Sequence, residues 1–174
     1  MRSRSDRRML KNIVLIGMPG AGKSTVGVVL AKKMGFRFID SDLVIQDKYG
    51  CLLHDLIEKY GIEGFWEIEN QVNASLDTDR HVIATGGSAV YGREAMEHFG
   101  KIGKIVYLKL PYEEIEERLG DLGARGVTIR KGQTLQDLYN ERKVLYEKYA
   151  DLVIDCEGKM LREIVCEIAE KAGF

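Results

Sequence analysis

Proline is nearly absent from this sequence, with two residues in 174, and neither sign of charge prevails, 26 basic side chains facing 27 acidic ones for a formal net charge of −1. A chain without a global field does not recruit nucleic acid or anionic membrane by charge alone, so any anion must be bound by local design. No apolar run approaches the roughly 20 residues that span a bilayer, and no apolar stretch follows the basic opening MRSRSDRR as it would in a secretory signal. A cytoplasmic protein is therefore expected. Cysteine is scarce as well: Cys51, Cys156 and Cys166 are odd in number and form no CxxC pair, which suggests neither a disulfide framework nor a zinc site.

What is present is an ordinary globular composition, 45% apolar and 30% charged, which excludes collagen-like, low-complexity and disordered readings. At roughly 100–200 residues per domain the length gives one domain with a full core. We expect a basic tail over 1–10 and a single domain over 11–174. Glycine is the excess, 19 residues, and suggests tight turns or close approach of backbone to ligands. Five apolar runs, Asn12–Gly17, Phe36–Asp40, His81–Thr85, Lys104–Leu110 and Asp151–Asp155, read as strands. Helical patterns between them predict an α/β/α sandwich around a five-stranded parallel sheet. The stretch from Leu43 to Thr78 is helical in period but broken near Gly50 and Gly61. Gly120–Gln133 is glycine-rich and aperiodic, and is expected to be a lid.

Gly17–Ser24 reads GMPGAGKS, which fits G-x-x-x-x-G-K-[ST] between an apolar strand and a helix. In that setting backbone N–H groups and the positive helix end converge on phosphate. The loop from Gly20 through Ala21 to Gly22 cradles the phosphates, Lys23 reaches the β and γ groups, Ser24 ligates Mg²⁺, and Thr25 adds a donor. The guanine-reading N-K-x-D of a GTPase is missing, and the chain is short for a motor, which leaves a small-molecule kinase. Asp40 and Asp42 flank Ser41 with the spacing that puts both on one face of an extended segment. One suits Mg²⁺ and the other suits an acceptor hydroxyl, although Ser41 or Asp42 would also suit as the cap of a helix starting at Leu43. Thr85-Gly86-Gly87-Ser88 closes the third strand, where ligands of open α/β sheets bind.

The segments GMPGAGKST, FIDSDLVI, GIEGFWEIE, ATGGS and ERKVLYEKYAD, in this order from about Lys11 to Ile154, resemble the shikimate kinase family. The resemblance implies a nucleoside-monophosphate-kinase-like fold, ATP as donor, and Mg²⁺ held by Ser24 and Asp40. It also implies Asp42 as base and acceptor ligand, Gly86 and Gly87 as substrate-binding glycines, Arg142 on the substrate carboxylate, and Arg118 against adenine. The partner implied is a small hydroxylated acceptor, and a monomer is expected. Three positions depart from the family. Trp66 stands where an arginine completes the carboxylate clamp, which leaves Glu69 without its arginine and offers a ring that either stacks on the acceptor or packs in the core or between helices. An arginine–carboxylate bond is worth roughly 1.5–3 kcal/mol, or about ten- to a hundredfold in affinity. Ser88 replaces a third glycine. In the lid, Arg125-Gly126-Val127-Thr128 replaces R-P-L-L, with Arg125 aligned to the phosphate-closing arginine and Arg130 as its rival. Shikimate is the default acceptor. Another polyol or hydroxy acid is the alternative, and a nucleotide-binding regulator without an acceptor is a third reading.

Overall fold

The computed structural model describes residues 12–120 and 127–173. The expected tail over 1–10 and Arg125 lie outside the described residues. Five strands, β1 (Asn12–Ile16), β2 (Arg37–Asp40), β3 (His81–Ala84), β4 (Gly103–Lys109) and β5 (Leu152–Asp155), form one parallel sheet in the order β2-β3-β1-β4-β5. Each strand begins within a residue of its sequence expectation. β1 is buried along its whole length, as a central parallel strand covered on both faces must be. Its side chains Ile13 to Ile16 lie at the centre of the core.

Among the described residues seven α-helices cover the sheet: α1 (Lys23–Met34), α2 (Ser41–Tyr49), α3 (Leu53–Ala74), α4 (Arg93–Ile102), α5 (Tyr112–Leu119), α6 (Leu135–Tyr149) and α7 (Leu161–Lys171). α1 ends at Gly35 and α2 at Gly50, both in the left-handed conformation. α3 is broken at Gly61, whose φ of 74° and ψ of 173° interrupt the helix. A 3-10 turn at Ala89–Tyr91, which the sequence pattern does not announce, contacts α3, α4 and α6. Among the described residues, no helix is long and apolar enough to cross a membrane.

Register explains why the site forms where it does. Leu15 and Asp40 both pair with Ala84, so β1, β2 and β3 end level with one another. The loops that follow them, carrying the phosphate motif, the Asp pair and the double glycine, therefore emerge side by side at the carboxyl edge.

The opposite edge is tied by a polar side chain. Asn12, 1% exposed, donates from Nδ2 to the carbonyls of Thr78 at 2.8 Å and Ile102 at 2.9 Å. Its Oδ1 accepts from His81 N at 3.0 Å and Thr78 Oγ1 at 3.4 Å. One amide thus joins the starts of β1, β3 and β4, and its loss strands three part-buried backbone groups. Asn12→Ala is expected to cost about 2–4 kcal/mol in urea denaturation while leaving the KM for nucleotide unchanged.

Candidate active site

The loop after β1 turns sharply enough to aim its N–H groups outward. Gly20 and Gly22 sit at φ 80° and 92°, values an L side chain adopts only with strain. Gly22 is the N-cap of α1, and a Cβ there would meet nothing within 4 Å, so its outer side is open. Lys23 lies 7% exposed, donating from Nζ to the carbonyls of Gly17 at 2.7 Å and Met18 at 2.8 Å. Burial pulls its pKa down to about 8, against the raising influence of Asp42.

Ser24 Oγ donates to Asp40 Oδ2 at 3.0 Å, joining the two residues expected to hold Mg²⁺. A hydroxyl and a carboxylate at one point are oxygen donors of the kind a hard divalent cation takes, so the pair fits that ion. The other oxygen of Asp40 accepts from Asp42 N at 3.0 Å, capping α2. The cap is therefore Asp40, not Ser41 or Asp42 as expected, because the helix begins at Ser41 instead of Leu43. Asp42 faces the cavity, and burial, followed by repulsion from Asp40, pushes its pKa up to about 6.

The cavity, about 490 Å³, runs from the phosphate loop to the double glycine and Arg142. Of the residues singled out from the sequence, Gly20, Gly22, Lys23, Ser24, Thr25, Asp42, Gly86, Gly87, Ser88 and Arg142 line it. Ala21 does not, being buried in the core. Arg118 stands behind the loop and donates from Nη1 to Gly20 O at 3.1 Å.

Arg142 is 1% exposed and heavily tethered. Its Nη2 donates to Thr128 Oγ1 at 2.8 Å and Thr128 O at 3.3 Å, and its Nε donates to Tyr91 Oη at 3.4 Å. A Cβ on Gly87 would lie 2.9 Å from Nη1, so the glycine is what lets the guanidinium approach. Gly87 O accepts from Tyr146 Oη at 2.6 Å, which fixes the loop.

Trp66, expected to offer a face to the acceptor, is placed otherwise. It does not line the cavity. One face stacks on Tyr91, centroids 4.1 Å apart and 18° from parallel, and the Arg130 guanidinium lies 4.9 Å from its ring centre. Its Nε1 donates to Thr128 Oγ1 at 3.3 Å. Arg130, Trp66, Tyr91 and Arg142 thus form a cation–aromatic ladder, the last step being 5.4 Å. Arg130 is also drawn toward Glu141, 3.8 Å away. Of the expected lid, 121–126 lie outside the described residues, and 127–133 carry neither helix nor strand. Val127 and Thr128 form part of the cavity wall.

Glu69 is the residue the sequence reading passed over as merely deprived of a partner. It sits 1% exposed in the apolar stripe Phe65, Ile68, Val72 of α3 and borders the cavity. Its Oε1 accepts from Ser88 Oγ at 2.6 Å. Burial pushes its pKa up to about 7, the Ser88 hydrogen bond opposing. A charged residue inside a helical apolar stripe is the signal that could have found it.

Comparisons with known proteins bear on the family and the fold. A family model described as shikimate kinase matches residues 19–172. A shikimate kinase of Francisella tularensis subsp. novicida is 38% identical over 163 residues, covering 91% of this chain and 93% of that protein. One of Persephonella marina is 34% identical over 160 residues, covering 91% and 97%. Among solved structures, shikimate kinase from Acinetobacter baumannii in complex with shikimate aligns with a TM-score of 0.83 at 33% identity, covering 94% of this chain and 93% of that one. The Aquifex aeolicus shikimate kinase gives 0.79 at 32%, covering 91% and 94%.

The raised pKa of Glu69 has a consequence for stability. An acid protonated more readily in the folded than in the unfolded chain contributes fully below its unfolded pKa near 4.5, and that contribution is lost as pH rises through about 7. Glu69→Gln should flatten stability between those pH values in denaturant titrations, removing a slope of order 3 kcal/mol. The portion due to Asp42 should remain.

Proposed function

The chain belongs to the shikimate kinase family, and from this we propose that it transfers the γ-phosphoryl group of ATP to a hydroxyl of shikimate. The observation that carries this reading is the single cavity in which Lys23, Ser24, Asp42, Gly86 and Arg142 meet. A phosphate-binding loop alone serves many reactions; a loop sharing one cavity with a base and a buried arginine serves transfer to a small anionic or hydroxylated acceptor.

Magnesium-bound ATP supplies the electrophilic phosphorus and, through the ion, offsets charge on the phosphate oxygens. Ser24 and Asp40 would hold that ion. The backbone from Gly20 to Gly22, with Thr25, would bind the phosphates, and Arg118, bonded to Gly20 O, would pack against the base. Lys23, its ammonium held at the floor of the loop by two carbonyls, lies ready to exchange them for phosphate oxygens.

Asp42 would accept the proton of the attacking hydroxyl. With its pKa near 6 it is ionised at neutral pH yet a stronger base than an ordinary aspartate, which suits that step. Gly86 and Gly87 let the acceptor approach the backbone, and Ser88 closes the wall beside them. Arg142, oriented by Thr128 and Tyr91, would bind the acceptor's carboxylate. Trp66 takes no part in that contact; it supports Arg142 through Tyr91 and Thr128.

ADP release measured over shikimate, quinate and simple polyols tests the reading, with stimulation by shikimate expected and its absence overturning it. Asp42→Asn should lower kcat about 10²–10⁴-fold with ATP binding retained, whereas Lys23→Ala should impair both turnover and ATP binding.

A further inference from the structure

The carboxyl of Glu69 has one satisfied oxygen and one that is not. Oε1 takes the Ser88 hydroxyl, whereas Oε2 is buried without a hydrogen-bond partner. Packing alone does not call for an acid here, because the neighbours on the same face of α3 are Phe65, Ile68 and Val72, and an aliphatic residue would complete the stripe at no desolvation cost. The bare oxygen is also precisely placed with respect to Asp42. A Cβ built on Gly86 would lie 2.7 Å from Glu69 Oε2 and 2.7 Å from Asp42 Oδ1, so the two oxygens close over one glycine and stand at most 5.4 Å apart. Oxygens held within that bound can each accept an ordinary O–H···O bond of about 2.7 Å from one of two hydroxyls on neighbouring ring carbons.

We propose that Glu69 is a specificity-determining residue that binds a second, non-reacting hydroxyl of the acceptor through Oε2, while Asp42 takes the reacting one. The two acids grip a polyol with hydroxyls on neighbouring ring carbons, and the acceptor's carboxylate is left to Arg142. With the Trp66 ring stacked on Tyr91, position 66 supplies no cation to the Glu69 carboxylate, and Oε2 stays free for this role. Ser88 then holds the carboxyl by its far oxygen and aims the other. Lys23 and Arg142, both within electrostatic reach of Glu69, offset its charge when it is ionised.

This inference rests on the reading of the chain as a shikimate-phosphorylating enzyme, and the test separates the two. Steady-state ADP release is measured for the intact enzyme and for Glu69→Gln with shikimate and with its analogues lacking one ring hydroxyl. The wild type should prefer the full triol. Glu69→Gln should raise the KM for shikimate about tenfold, leave the KM for ATP unchanged, and lose nothing further on the analogue lacking the hydroxyl that Glu69 binds. Glu69→Asp, which withdraws the carboxylate by one methylene, should fall between them and answers the question if the glutamine variant folds poorly. An unaltered KM for shikimate overturns the proposal, as does an equal loss on every analogue, which would mark Glu69 as a structural support. A wild type that releases no ADP with shikimate overturns the functional reading, and this inference with it.

Discussion

A guanidinium sealed from water has to be satisfied or the fold that seals it does not form, and Arg142 imposes that condition here. The charge is met by parts of the chain far apart in sequence: Thr128, the phenol of Tyr91, the space left by Gly87, and more distantly Glu69. Meeting it draws α6, the segment at Val127 and Thr128, the 3-10 turn and the double-glycine loop onto one point. The acceptor end of the cavity is in this sense the solvation shell of a single side chain, built from protein instead of water.

The three departures that the sequence lists separately form one physical change. Where an arginine would pair with Glu69, Trp66 stacks on Tyr91 and donates to Thr128, and Thr128 accepts from Arg142. Glu69, deprived of a cation, accepts from the hydroxyl of Ser88. A glycine at 88 could not supply that bond, and a leucine at 128 could not accept from the guanidinium. Trp66, Ser88 and Thr128 thus replace an ion pair by neutral donors and acceptors around one remaining arginine. The pocket retains its acids at raised pKa values, about 6 for Asp42 and about 7 for Glu69. Charge is adjusted by burial instead of by a partner.

Strands, helix stops and the phosphate loop were legible because each is a local matter. Apolar runs bounded by glycine gave the sheet, and Gly35, Gly50 and Gly61 ended or broke helices where their spacing indicated. The strand order β2-β3-β1-β4-β5 was not legible, because register between distant segments is decided by packing. The same divide runs through the site. Lys23, Ser24 and Asp42 follow from motif and spacing. The position of Trp66 depends on Tyr91 and Arg130, 25 and 64 residues further along the chain, and no local pattern reports such a neighbour. Glu69 was overlooked for another reason, since its meaning lies in an oxygen that has no partner.

The amide of Asn12 anchors one end of the sheet, and the cavity lined by Lys23, Asp42, Gly86 and Arg142 lies at the other. Inheritance can therefore act on the two ends under different rules. Substitutions around Trp66, Ser88 and Thr128 fall at the end away from the strand origins that Asn12 ties, so the two ends can change independently.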